Sequence, residues 1–353
     1  FAEDLAAFAT FTTLTPVASL RYGDPPTSSS MVAGAAFDRD DEFFAVAGVS
    51  KRIKIYEREA VLRSHIGAHY PVLEISSRSR LSSVTWSGYI KGHLASADYE
   101  GVVQLWDANT NSELMQFEEH RKRVWSIDFS QADPARLLSG GDDGLIKLWS
   151  IQQETSTTTI DLRANVCSVQ FSPTSPHLLA AGCANYRIFL YDIRNTSRAL
   201  HILPGHTRAV SYVRFLSPTQ LVSASTDNTL RLWQLDRLGA GVPAASAAPG
   251  PVDAAAGSCV QVFRGHANER NFTGLSVSAD GYISCGSENN RVFCYYQSLP
   301  MPVTSYDFSS PDAASVGIGC VGSGQFVSSV CWSRRSNLLL AANSVGLIKL
   351  FTL

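Results

Sequence analysis

An all-β, seven-bladed propeller is the fold this sequence predicts, and three observations predict it. The first is an internal repeat. An apolar strand ends in an aromatic, a strand of small residues follows a turn, and an alternating strand closed by an aromatic follows a second turn. The second is its period: Trp106, Trp149, Tyr191 and Trp233 stand 43, 42 and 42 residues apart, the range of a four-stranded blade. The third is composition. Hydrophobic residues make up 45% and charged residues 17%, which suits many short buried strands better than long charged helices.

The repeat occurs seven times. Its instances run from Ala36-Phe37 to Ile55-Tyr56, Thr85-Trp86 to Leu105-Trp106, Asp128-Phe129 to Leu148-Trp149, Gln170-Phe171 to Leu190-Tyr191, Arg214-Phe215 to Leu232-Trp233, Leu275 to Cys294-Tyr295, and Cys331-Trp332 to Leu350-Phe351. The closing strands alternate, as in Leu145-Ile-Lys-Leu-Trp149, and period-two alternation marks strands with two different faces. One blade cannot bury both faces, whereas radial stacking buries them and leaves only short edges. Thr13 to Leu20 reads as an extra strand, the outer strand of the last blade, which would close the ring. Residues 1–353 are therefore expected to form one domain. Two segments break the period: 237–258, rich in Ala, Gly and Pro, and the Gly-rich 309–325. Neither can bury much apolar surface, and both read as flexible insertions.

Polar residues at fixed offsets make these WD-repeat blades. In the third unit His120, Ser139, Asp143 and Trp149 form one expected hydrogen-bonded set; in the fifth, His206, Ser223, Asp227 and Trp233 form another. An indole N–H only donates and a carboxylate only accepts, so a closed network satisfies both and locks the turn. The sixth unit offers a softened set, His266, Ser284, Asn289 and Tyr295. The remaining units are expected to rely on packing.

Little in the chain points to catalysis. The net charge of -2 offers no general footprint for nucleic acid or an anionic membrane, and no apolar run is long enough to span a bilayer. Seven cysteines, with no Cys-x-x-Cys pair, read as buried thiols of a reducing compartment. Gly317-Ile-Gly319-Cys-Val-Gly322 matches a dinucleotide fingerprint as a string but lacks the βαβ context. His65 and His69 have no evident third ligand, so neither metal nor cofactor is expected. Ser, His and Asp in the third and fifth units repeat at blade offsets, which is a structural pattern; no Gly-x-Ser-x-Gly elbow accompanies them. The fold offers loops on a rigid scaffold, an arrangement suited to binding proteins and peptides.

More specific strings carry a resemblance. Ala47-Gly-Val-Ser-Lys-Arg-Ile-Lys-Ile-Tyr56, His69-Tyr-Pro71, Ser96-Ala-Asp-Tyr-Glu-Gly101, His120-Arg-Lys-Arg-Val-Trp-Ser-Ile-Asp-Phe129, Ala209-Val-Ser-Tyr212 and Gly265-His-Ala-Asn-Glu-Arg-Asn-Phe272 are among them. Together they resemble the WD-repeat domain of the constitutive photomorphogenesis ubiquitin ligase and its partners, the suppressor of phytochrome A proteins, across nearly the whole chain. Ser298-Leu-Pro-Met-Pro-Val-Thr-Ser-Tyr306 and Phe326-Val-Ser-Ser-Val-Cys-Trp332 favour the suppressor branch.

The resemblance implies a non-catalytic propeller that recruits transcription factors and photoreceptors of the cryptochrome and UV-B receptor types to a nuclear ubiquitin ligase complex, through motifs centred on Val-Pro. The positions it marks are Lys51, Tyr70, Arg123, Trp125, Tyr186, Arg208, Glu269, Asn271 and Phe272. Tyr186 departs from the ligase pattern, where His is usual, and leaves peptide preference open. Trp125, Tyr70 and Phe272 suit a slot for Val and Pro, while Lys51, Arg123 and Arg208 suit flanking acidic residues. Tyr191-Asp-Ile-Arg194 resembles a cullin-adaptor docking ending in which Trp is usual, and it marks Asp192 and Arg194; a local ion pair is the other reading. The rival to the whole picture is a scaffold that binds partners by another surface and has no Val-Pro site.

Overall fold

The computed structural model describes residues 13–23, 30–63, 69–238, 257–310 and 324–353. The two expected insertions lie almost wholly outside these, as do His65 and the glycine-rich string. The chain forms two compact units, 1–86 with 263–353, and 87–262.

Among the described residues, twenty-eight strands make seven four-stranded sheets. After β1 (Thr15–Arg21), the first sheet takes β2 (Val32–Phe37), β3 (Phe43–Gly48), β4 (Arg52–Glu57) and, beyond the short helix α1 (Arg58–Arg63), β5 (Leu73–Ser76). The second takes β6 (Leu81–Trp86), β7 (His93–Asp98), β8 (Val103–Asp107) and β9 (Ser112–Phe117). The third takes β10 (Val124–Phe129), β11 (Arg136–Gly141), β12 (Leu145–Ser150) and β13 (Ser156–Asp161), and the fourth β14 (Val166–Phe171), β15 (Leu178–Cys183), β16 (Ile188–Asp192) and β17 (His201–Leu203). The fifth takes β18 (Val210–Ser217), β19 (Gln220–Ser225), β20 (Thr229–Gln234) and β21 (Cys259–Phe263), and the sixth β22 (Leu275–Val277), β23 (Tyr282–Gly286), β24 (Arg291–Tyr296) and β25 (Pro302–Asp307). The seventh holds β26 (Val327–Trp332), β27 (Leu338–Asn343) and β28 (Leu347–Thr352), with β1 as its fourth strand, Thr15 opposite Thr352 and Arg21 opposite Leu347. The strand expected at Thr13 to Leu20 is thus β1, which begins two residues later and ends one later. The fold is a seven-bladed β-propeller.

The cores lie between sheets. In the unit 87–262, Leu138, Ile146 and Leu148 pack against Val166, Val169, Phe171 and Leu179 of the next sheet. Ala180, Ile188 and Leu190 meet Val210, Val213 and Phe215 in the same manner. This explains the small-residue strand of the repeat. A Cβ added at Gly140 would stand 2.6 Å from a Val166 methyl, so only glycine admits the neighbouring sheet so closely. In the other unit, Phe37, Phe44 and Tyr56 share a core with Leu340, Ile348 and Leu350.

Each sheet begins with an edge strand whose outward N–H groups need partners. The polar residue before the strand's closing aromatic supplies one. Asp128 accepts from the Phe171 N–H at 2.8 Å, and Gln170 from the Phe215 N–H at 2.6 Å. In the unit 1–86 with 263–353, Ser276 accepts from the Trp332 N–H at 2.9 Å. Asp41, fully buried, accepts from the Ser333 hydroxyl and the Arg335 N–H, both at 2.6 Å, and from the Arg334 N–H at 3.3 Å.

The third and fifth sheets carry the expected polar sets. His120 Nδ1 lies 2.8 Å from Asp143, its Nε2 2.7 Å from Ser139 Oγ, and the Trp149 indole donates to that hydroxyl at 2.8 Å. His206, Asp227, Ser223 and Trp233 repeat this at 3.0, 2.7 and 2.8 Å. Because the carboxylate only accepts, Nδ1 carries the proton. Donation then runs from indole to hydroxyl to imidazole to carboxylate. The sixth sheet differs from expectation: Asn289 is exposed, and His266 Nδ1 bonds instead to the Tyr295 hydroxyl at 3.0 Å. A phenol reaches further than an indole N–H and meets the histidine directly. The second sheet retains half of the set, with Trp106 donating to Ser96 at 2.9 Å.

These sets bear on stability against acid. Burial lowers the His206 pKa below the ordinary 6.5, outweighing the opposing pull of Asp227. At Asp227 burial acts upward, but the His206 bond and further donors prevail and hold the carboxyl below its ordinary range. A histidine depressed in the folded state stabilises fully above the unfolded value, and that stabilisation is lost as pH falls below it. Burial lowers His69 and His201 as well, with the same sign. The urea midpoint is therefore expected to fall between about pH 7 and about pH 5, and His206→Gln should flatten that slope. An equal slope in wild type and variant would contradict the assignment to His206.

Candidate functional site

In the unit 87–262 the candidate site is built on a repeated irregularity. Strand β10 is bulged between Val124 and Ser126, leaving Trp125 out of register. The strands β14, β18 and β26 bulge at the same place, where the residue is Cys167, Ser211 or Ser328, each small and buried. A bulge re-aims a side chain, and here it aims an indole outward. Of six tryptophans Trp125 alone is not buried. Its N–H donates to Asp142 Oδ1 at 2.8 Å, an oxygen that also accepts from Asn165 at 3.0 Å. The Arg123 guanidinium carbon lies 4.6 Å from the Trp125 ring centre and 4.6 Å from that of Tyr99, and its Nε is 3.7 Å from Asp142 Oδ2.

Asn165 extends this assembly, because its carbonyl accepts from the Ala184 N–H at 2.9 Å and so ties in the turn that carries Tyr186. Arg208 is exposed; its carbonyl accepts from Ser225 Oγ at 3.1 Å. Every sheet has one left-handed residue in the turn after its second strand: Lys51, Gly101, Gly144, Tyr186, Asn228, Asn290 and Gly346. Five are Gly or Asn, which tolerate that backbone. Lys51 (φ 64) and Tyr186 (φ 72) are long side chains there, at a steric cost of about 1 kcal/mol each. Both project into solvent, Tyr186 half-exposed.

In the other unit, Tyr70 is 85% exposed, unusual for so large a ring, and Val72 beside it is 56% exposed. The loop before β22 holds exposed Glu269 and half-buried Asn271 and Phe272. Glu288 sets its shape: one carboxylate oxygen accepts from the Arg270 and Asn271 N–H groups at 2.7 Å each, and from the Asn271 side chain at 3.1 Å. Burial would raise the Glu288 pKa, yet those donors bring it below the ordinary value.

The nine marked residues therefore fall five in one unit (Lys51, Tyr70, Glu269, Asn271, Phe272) and four in the other (Arg123, Trp125, Tyr186, Arg208). Sequence reasoning missed Tyr99, Asp142 and Glu288, which hold marked residues in place. A signal existed: Asp142 and Glu288 both stand one residue before the tetrad Asp position. At the marked docking pair, Arg194 binds Asp192 through Nε and the terminal nitrogen at 2.9 and 2.5 Å, drawing the Asp192 carboxyl down to about 2. Among the described residues, no cluster of His, Cys, Asp and Glu could hold a metal ion.

Seven four-stranded sheets, two of them locked by complete His–Ser–Asp–Trp networks, define a WD-repeat propeller. Residues 111–150, 155–192 and 197–234 match the WD domain, G-beta repeat family. The chain is 48% identical over its whole length to Protein SUPPRESSOR OF PHYA-105 1 of Arabidopsis thaliana and 43% identical to the E3 ubiquitin-protein ligase COP1 of the same plant, spanning 33% and 49% of their lengths. It is 33% identical to the WD repeat-containing protein RUP2 of Arabidopsis thaliana over 92% of this chain and 88% of that one. The chain belongs to this family of WD-repeat proteins, and its similarity to the suppressor branch agrees with Ser298 to Tyr306. It spans a third to a half of the length of the suppressor and ligase relatives.

Proposed function

We propose that the chain is the recruiting domain of a nuclear ubiquitin ligase complex in light signalling, and that it binds short acidic segments centred on Val-Pro without catalytic chemistry of its own. The observation that carries this reading is Trp125: an indole placed by a bulge where its sister sheets bury small residues, and covered by Arg123. An aromatic wall suits the apolar Val and Pro side chains, and a proline-containing segment loses little freedom on binding. Arg123 and Arg208 suit acidic residues beside the pair and would make association salt-sensitive. Transcription factors and photoreceptors bearing such segments are the partners this chemistry fits. Docking onto a cullin adaptor through Asp192 and Arg194 would first require opening the ion pair they form.

Titration of the chain with a labelled acidic Val-Pro peptide tests the reading. Binding at micromolar Kd or tighter, about -8 kcal/mol, is expected, together with its loss when both residues are Ala. Equal affinity for both peptides, or none for either, would overturn the site and leave a scaffold that binds elsewhere.

A further inference from the structure

We infer that Tyr99 and Asp142 are positioning residues that hold Arg123 and Trp125 as one preorganised ligand-facing element; this deepens the peptide-binding reading and rests on it for its binding arm. The argument begins at the turn after β7. Asp98 accepts from the Glu100 and Val102 N–H groups at 3.0 and 2.8 Å, which folds the turn tightly. Gly101 then brings it against the segment entering β10. A Cβ at Gly101 would stand 2.7 Å from the His120 carbonyl and 2.8 Å from that of Lys122. This close approach sets Tyr99 beside Arg123, so one sheet's turn supplies one ring under the guanidinium and the next sheet's bulge supplies the other. The two rings lie 6.0 Å apart at 59°, and the guanidinium is equidistant from them.

Asp142 works from below. Its Oδ1 takes two neutral donors, Trp125 and Asn165, which fixes the plane of the indole. Its Oδ2 faces Arg123 Nε at 3.7 Å, beyond hydrogen-bond reach. The carboxylate thus draws the guanidinium over the rings without occupying its donors. An arginine held over two rings at once has given up part of its rotamer freedom before the ligand arrives, which favours affinity through preorganisation. Its remaining donors suit a carboxylate in bidentate geometry.

The test uses the whole chain with Tyr99→Leu, Tyr99→Phe, Asp142→Ala and Asp142→Asn, and two readouts. In peptide titration, Tyr99→Leu and Asp142→Ala are expected to lose about tenfold in affinity. Tyr99→Phe, which keeps the ring, and Asp142→Asn, which keeps the Oδ1 acceptor, should stay within about threefold. In the peptide-free chain, acrylamide quenching reports on Trp125, since the other five tryptophans are buried. Quenching should rise in Asp142→Ala and Tyr99→Leu and be restored in the conservative variants. Leu and Ala variants that fold, bind and quench like wild type would overturn the inference. If wild type fails to bind the peptide, the recruiting reading falls, and quenching alone decides the positioning role: unchanged quenching refutes it.

Discussion

Trp125→Ala is expected to weaken binding of the acidic Val-Pro peptide by thirtyfold or more, about 2 kcal/mol, while leaving the fold intact. Two effects combine. The ligand loses an apolar wall, and Arg123 loses one of the two rings that hold it. The change should be small in thermal unfolding, because Trp125 stands at a bulge outside the cores between sheets, unlike the fully buried Trp149 and Trp233. Its removal strands no buried group: Asp142 keeps Asn165. Calorimetric titration beside a melting curve separates the two quantities. An unchanged Kd in a folded Trp125→Ala chain would remove this residue from the ligand surface.

How far the sequence reaches can be judged at single residues. The strands and the two full polar sets were legible because seven repeats restate one chemistry at fixed offsets, so that His206, Ser223, Asp227 and Trp233 could be found from their counterparts in the third sheet. The same offset misled at Asn289, which occupies the Asp position but faces solvent while the Tyr295 hydroxyl meets His266 Nδ1. Periodicity fixes a position in the backbone; which partner a side chain reaches depends on its length. Trp125 illustrates the complementary limit. Alternation along Val124 to Phe129 cannot say whether an indole is in a core, because the bulge that turns it outward arises from pairing with Gly140 and Gly141. The marked positions rest on resemblance to a family; Asp142 and Glu288 hold residues of their own repeats from a shared offset, whereas Tyr99 is visible only once the turn of one repeat stands beside the next.

Asp41→Ala is the second large effect, and it falls on stability. Asp41 is fully buried and left-handed (φ 58), a backbone state that Asp tolerates better than most residues. Its carboxylate is the acceptor for three donors of the turn after β26, across 292 to 294 positions in sequence. Removing it takes the acceptor from the Arg334 and Arg335 N–H groups, in a turn whose side chains are exposed, and from the Ser333 hydroxyl, which keeps Ser336 Oγ at 2.7 Å, at about 1–3 kcal/mol for each group left unsatisfied. Alanine also fits the left-handed turn less well. Together these predict a loss of about 2 kcal/mol, measurable as a lower urea midpoint at unchanged slope. Asp41→Asn keeps one acceptor oxygen and the left-handed preference, so it should recover part of that loss. Because Asp41 ties the turn after β2 to the turn after β26, the variant should exchange amide hydrogens faster at Arg334 and Arg335, the N–H groups it binds, with little change in the unit 87–262. Exchange accelerated equally in both units would mean that Asp41 acts on global unfolding rather than on this local tie.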